Sequence, residues 1–210
     1  MKSYSANEER INVISHAIGF VLSIIALIFL VSKAFSHGGI MQIVSFSIFG
    51  VSLCILYAAS TLYHNAKDIE KRSHLKIFDH ASIYVLIAGS YTPFTLVTLY
   101  GKTGWIIFCI TWGAAIIGII LKLFFTGRFS IVSTIMYVIM GWVIVFAVKP
   151  LINNLSSDGL FWLFAGAVAY TIGAVLYTIK SIPFNHAIFH LLVLIGSFCH
   201  FISIYFYVLP

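Results

Sequence analysis

VISHAIGFVLSIIALIFLVS, the stretch from Val13 to Ser32, decides the fold: it runs for 20 residues without a single Asp, Glu, Lys or Arg. An α-helix rises 1.5 Å per residue, so this segment is about 30 Å long, the thickness of a bilayer's hydrocarbon core. Working outward, the same pattern recurs six more times. The spacing predicts apolar spans at 13–33, 41–63, 79–99, 103–121, 129–148, 159–179 and 185–208. Composition points the same way, with 61% hydrophobic and 9% charged residues, against roughly 45–50% apolar and about 25% charged in soluble domains. The expected fold is all-α, a single seven-helix transmembrane domain over residues 1–210. The first span does not read as a cleaved signal peptide, because Glu8 and Glu9 precede it and six spans follow.

Lys and Arg between the spans set the orientation, since they favour the cytoplasmic side. Lys2, Arg10, Lys67, Lys71, Arg72, Lys76, Lys122, Arg128 and Lys180 fall on one side; Lys33, Lys102 and Lys149 fall on the other. This imbalance predicts a cytoplasmic N-terminus and, after seven crossings, a C-terminus outside. Tyr63, Tyr100, Trp105 and Trp162 sit near span ends, as interfacial anchors do. The net charge of +6 therefore reports topology. It does not imply nucleic acid, because the basic residues are scattered and not interleaved with aromatics on one face. Cys54, Cys109 and Cys199 all lie in apolar stretches without metal-site or disulfide spacing, and read as small core residues.

Ionisable groups at membrane depth are costly unless paired, hydrated or bound to an ion, so each invites a functional reading. His186 and His190 open the last span four residues apart, which puts both imidazoles on one helix face, one turn apart. Pro183 just before them suits a helix start. Alone, such a pair reads equally well as two interfacial histidines. His64 ends the second span, with Ser60 four residues before it on the same face, and Asp79 enters the third span. The Lys and Arg pattern brings all of these to one end of the bundle independently of the motif. Three imidazoles suit zinc, and three protein ligands plus a water is the pattern of a catalytic site. The candidate metal ligands are thus His64, His186 and His190. Asp79 is the candidate for orienting or deprotonating the water, and Ser60 for hydrogen-bonding Asp79, the water or a substrate carbonyl. The plainer roles are an ion pair of Asp79 with Lys76 or Arg72, and helix packing for Ser60. Glu9, Asn12 and His16 share a face at the start of the first span and read either as a polar network bracing the site or, more plainly, as a helix-start acid and an interfacial histidine. His200 lies ten residues beyond His190, about 15 Å along the helix. That is too far to share the ion, and it is expected to be a buried hydrogen-bonding residue. His80 points away from Asp79, and His37 and His74 read as loop residues. Pro93 is expected to kink the third helix, with Ser90 or Thr92 satisfying the freed backbone groups.

Taken together, Glu9-x2-Asn12-x3-His16, Ser60-x3-His64 followed by Asp79, and His186-x3-His190 resemble the haemolysin III proteins of bacteria. These form the prokaryotic branch of the family that includes the progestin and adiponectin receptors. The resemblance runs from Glu9 through the last span, where Gly196, Ser197 and His200 also match. It implies a seven-helix bundle in the plasma membrane, with zinc on the positions of His64, His186 and His190 and Asp79 beside the zinc-bound water. It also places the chain near a proposed superfamily of membrane hydrolases that includes alkaline ceramidases.

Three functions follow as expectations. The first is a zinc-dependent amidase or esterase acting on membrane lipids, with aromatic segments such as Phe161-Trp-Leu-Phe164 lining an acyl pocket. The second is a non-enzymatic sensor or regulator of lipid composition stapled by zinc. The third, cytolysis by pore formation, has the least physical support in a short-looped helical bundle.

Overall fold

The computed structural model describes residues 5–126 and 130–209. Among the described residues, seven segments are long and apolar enough to cross a membrane, as the sequence pattern requires. In chain order the helices are α1 (Ala6–His37), α2 (Ile40–Asn65), α3 (Ile69–Pro93), α4 (Gly101–Phe125), α5 (Ser130–Gly141), α6 (Val148–Asn154), α7 (Ser157–Thr178) and α8 (Asn185–Ser203). A π-helical turn, Phe94–Thr98, extends α3, and another, Ile204–Val208, extends α8. The fifth span is α5 and α6 joined through a 3₁₀ segment, Val143–Ala147. Lys2 and Arg128, counted in the charge pattern, lie outside the described residues.

Neighbours in sequence are neighbours in space. The spans close into a ring in chain order, α1 beside α2, α2 beside α3, α3 beside α4, α4 beside α5, α5 beside α7 and α7 beside α8, with α8 returning to α1. Lipid offers no hydrophobic drive between helices, so close contact rests on small residues and hydrogen bonds. Gly89 of α3 shows this against α2: a Cβ there would lie 2.3 Å from Ser52 Oγ. The outward faces carry exposed Ile18, Val21, Ile25 and Phe29 of α1 and Ile116 and Ile117 of α4, which is the correct side when the solvent is hydrocarbon.

Near the helix breaks, side chains bond to backbone groups. Pro93 ends α3, and the Thr92 and Thr95 hydroxyls donate to the carbonyls of Ala88 and Tyr91 at 2.9 and 3.0 Å. At the α5 break, Tyr91 OH donates to the Gly141 carbonyl at 2.8 Å and accepts from the Ile144 N–H at 3.0 Å. Lys33 Nζ donates to the Tyr205 carbonyl in the terminal π-turn at 2.7 Å.

Several sequence expectations change here. The third helix begins at Ile69, ten residues before the apolar span, because Asp68 caps it by accepting from the Lys71 N–H at 2.8 Å. His74 is therefore helical, and His37 is the last residue of α1. Hydropathy registers only the part of a helix that lipid covers. Lys122 is not a loop residue: α4 runs on to Phe125, and Lys122 is buried at 4% exposure. Of the expected interfacial aromatics, Tyr100 and Trp105 face outward, but Tyr63 is buried, lying beneath the Arg72 guanidinium at 4.8 Å.

Candidate metal centre

Four helix segments meet at one end of the ring: the starts of α1, α3 and α8 and the end of α2. His64 sits in the last turn of α2. His186 and His190 occupy the first turns of α8, directly after Phe184, whose φ of 56° sets the helix entry. Asn185 Nδ2 donates to the Tyr177 and Ile179 carbonyls at 2.8 and 3.2 Å, which closes the α7–α8 turn. Deeper in the bundle, Ser197 Oγ joins Tyr57 OH of α2 at 2.7 Å and Tyr170 OH of α7 at 2.9 Å. That buried network holds the histidine face of α8 inward.

One candidate ligand nitrogen from each of His64, His186 and His190 lies within 4.8 Å of the others, and all three residues are buried. The Nε2 atoms of His64 and His186 are 3.1 Å apart. Two nitrogens bound tetrahedrally to a zinc ion at about 2.0–2.1 Å would be separated by about 3.4 Å, so the spacing fits an ion between them. His190 Nδ1 is buried without a well-formed hydrogen bond, although the Asn12 backbone interacts with the ring.

The surroundings orient the rings. Glu9 Oε2 accepts from His64 Nδ1 at 2.7 Å. With Nδ1 carrying the proton, Nε2 presents its lone pair to the cluster, the carboxylate–histidine arrangement that supports a metal ligand. Asn12 Nδ2 approaches the same Nδ1 at 3.5 Å. His16 does something different from its neighbours on α1: it stacks on His190 with centroids 3.6 Å apart and planes 13° from parallel. Its two ring nitrogens make no well-formed hydrogen bond. Thus Glu9 and Asn12 converge on His64, and His16 on His190.

Asp79 is buried beside this cluster but is not one of its three members. Its carboxyl lies next to Ser60, whose buried hydroxyl makes no well-formed hydrogen bond. His80 is also closer than the helix geometry suggested, with Nε2 4.0 Å from Asp79 Oδ2. Arg72 was legible only as a possible partner of Asp79. It pairs instead with Glu9 and donates to the His64 and Ala66 carbonyls at 3.3 and 3.2 Å, capping the end of α2. Opposite charges one helix apart in an interfacial region were the available signal.

From the cluster an internal cavity of about 130 Å³ runs down the ring. Its lining includes Ser60, Asp79 and His186 at one end and Tyr91, Trp142 and His200 at the other. His186 and His200 are fourteen residues apart, so the cavity follows α8 for about 20 Å. That is the length of a hydrocarbon tail. Phe161 does not line it, being 65% exposed on the outer face; the α7 residues that do are Ala167, Tyr170, Thr171, Ala174 and Tyr177. His200 is buried as expected, and its ring nitrogens make no well-formed hydrogen bond, the Leu163 backbone being the group that interacts with them. Its ring packs against Gly166 and meets the cavity wall.

The role of Glu9 is directly testable. Glu9→Gln is expected to weaken metal binding by roughly 10–100-fold, the usual effect of losing an outer-shell carboxylate, in competition with a chromophoric chelator. Unchanged affinity would reduce Glu9 to a partner of Arg72.

Comparison with known proteins gives consistent matches along the chain. The family described as "Haemolysin-III related" matches residues 4–201. "Hemolysin-3" of Bacillus cereus is 48% identical over 203 residues, covering 97% of this chain and 93% of that protein. "Hemolysin-3 homolog" of Bacillus subtilis (strain 168) is 47% identical over 204 residues, covering 97% and 96%. The human "Monocyte to macrophage differentiation factor" is 31% identical over 168 residues, 76% of this chain and 68% of that protein.

Proposed function

This chain belongs to the Haemolysin-III related family of multi-pass membrane proteins, and from that premise we propose that it is a zinc-dependent hydrolase of membrane lipid amides or esters. The observation that carries the proposal is a buried three-imidazole cluster with a carboxyl beside it, at the end of a cavity as long as an acyl tail. His64, His186 and His190 would hold the ion. Bound there, zinc supplies Lewis-acid polarisation of a carbonyl and a water that ionises near pH 7.

The chain's own groups do the rest. The cavity takes the acyl tail and sets the scissile carbonyl against the histidine end. Asp79 takes a proton from the attacking water as its oxygen bonds to the carbonyl carbon, and returns it to the leaving nitrogen or oxygen when that bond breaks. Ser60, adjacent to Asp79, holds the carboxyl or donates to the carbonyl oxygen. Glu9 keeps His64 in the productive tautomer. We assign the histidine end to the cytoplasmic face of the bacterial plasma membrane; Lys67, Lys71, Arg72 and Lys76 beside it support that side.

Purified protein in lipid nanodiscs containing lipid amides and esters is expected to release free fatty acid, to stop on chelation and to resume with added zinc. Asp79→Asn should keep its metal and lose about 100-fold or more in rate. Release indifferent to metal removal would contradict the proposal.

A second reading has one observation in its favour. The ligands and their carboxylate partner come from three spans, α1, α2 and α8, so an ion there would staple the bundle with no reaction to run. In that case metal would raise the melting temperature while no lipid is cleaved.

A further inference from the structure

A buried ammonium stands in the wall of the cavity, outside the three-histidine cluster. Lys122 is only 4% exposed and lines the cavity together with His80, Ser133, Thr134 and Tyr137. Its Nζ donates to Ser133 Oγ at 2.6 Å. The chain has six Asp and Glu residues, all among the described ones. None of their carboxylates lies within 4.0 Å of Lys122; among the described residues the ion pairs are those of Glu9 with His64 and Arg72 and of Asp79 with His80. Lys76 is close enough to add like charge. A hydroxyl and the carbonyl end of α4 offset only part of what an ammonium loses when water is removed. Lysines near a membrane surface ordinarily extend their heads into water; this one turns into the cavity.

We propose that Lys122 and Ser133 form an anion subsite for the ligand that occupies the cavity, so that the ligand is an acidic amphiphile carrying a carboxylate or a phosphate. The ammonium supplies the charge and the α5 hydroxyls complete the oxygen shell. A neutral headgroup would leave the cation unmatched. The inference rests on the cavity being the lipid's place, as in the proposed function, but not on any reaction there. A fatty-acid carboxylate and a lipid phosphate share the required chemistry.

The test reads binding and not turnover, on protein with its histidines intact. Hexadecyl phosphate, palmitate and hexadecanol have the same chain length and differ in headgroup. At least one of the two anions is expected to bind the purified protein in neutral detergent about 10-fold or more tighter than hexadecanol, because charge-assisted hydrogen bonds are the strong ones. Whichever anion is preferred identifies the source. Lys122→Met should erase the preference and Lys122→Arg should keep it. Without ligand, Lys122→Met should melt higher than the wild type, since an unmatched buried charge has been removed, and the preferred anion should raise the melting temperature of the wild type alone. Equal binding of anion and alcohol overturns the inference. So does a preference that survives in Lys122→Met, which would assign the anion to the metal, or a lower melting point for unliganded Lys122→Met. Each of these failures leaves the metal and hydrolysis experiments untouched.

Discussion

His190→Ala is expected to lose its metal, to cleave lipid at no more than the background rate, and to melt about 5–10 °C below the metal-loaded wild type. His190 is buried against both other histidines, its ring centroid 4.5 Å from that of His186 and 5.0 Å from that of His64. With three imidazoles and no fourth protein ligand in the cluster among the described residues, truncation leaves two nitrogens on different helices. Losing an outer-shell partner already costs roughly 10–100-fold in affinity, so losing a direct ligand costs more. The stability change follows from linkage. A metal present at 100 times its dissociation constant contributes about 2.7 kcal/mol, and for a chain of this size each kcal/mol moves the melting temperature by roughly 2–4 °C. Chelating the wild type should reproduce the shift, while His16→Ala, which removes a stacking ring but no converging nitrogen, should retain the metal. Differential scanning fluorimetry with and without chelator checks both. Equal melting of His190→Ala and metal-loaded wild type would contradict the assignment.

Gly104→Ala is the second large effect, and it acts on the fold alone. A Cβ at Gly104 would stand 2.0 Å from the Thr95 carbonyl oxygen and 3.1 Å from its carbon. Both are backbone atoms of the π-turn, which no rotamer change can move aside. Overpacking of this kind costs about 1–3 kcal/mol where flexible side chains can yield; here the upper end is expected, a loss on the order of 10 °C. Gly113 on the same helix is the control, because a Cβ there meets nothing within 4 Å. Gly113→Ala should be neutral or slightly stabilising, as alanine is the better helix former by about 1 kcal/mol. Similar melting of the two variants would show that α4 does not approach the π-turn as closely as described.

Much of this was legible in the residues. Seven uncharged runs of bilayer length leave little choice of fold, and a four-residue separation puts His186 and His190 on one face whatever the rest does. That His64 meets them follows from counting crossings. Partners across helices were harder to read, because periodicity reports which face a residue occupies and not what it touches. Glu9 was recognised as a helix-start acid, but its bond to His64 and its pairing with Arg72 depend on how α1, α2 and α3 lean together. Lys122 was misread for a related reason: counting basic residues assumes that each sits in a loop, and this one is a helical residue turned inward. The early start of α3 and the Tyr91 repair of the α5 break likewise depend on a cap and on a distant hydroxyl, neither of which hydropathy records.

The central claim is that one divalent ion draws imidazoles from the second and seventh spans into a single inward-facing cluster. Its most direct measurement is a crystallographic anomalous difference map of the purified protein, collected on both sides of the zinc absorption edge. The expected result is one peak per chain, bounded by His64, His186 and His190, that vanishes below the edge. Rings with no peak between them in zinc-loaded crystals, or a peak held by other residues, would contradict it.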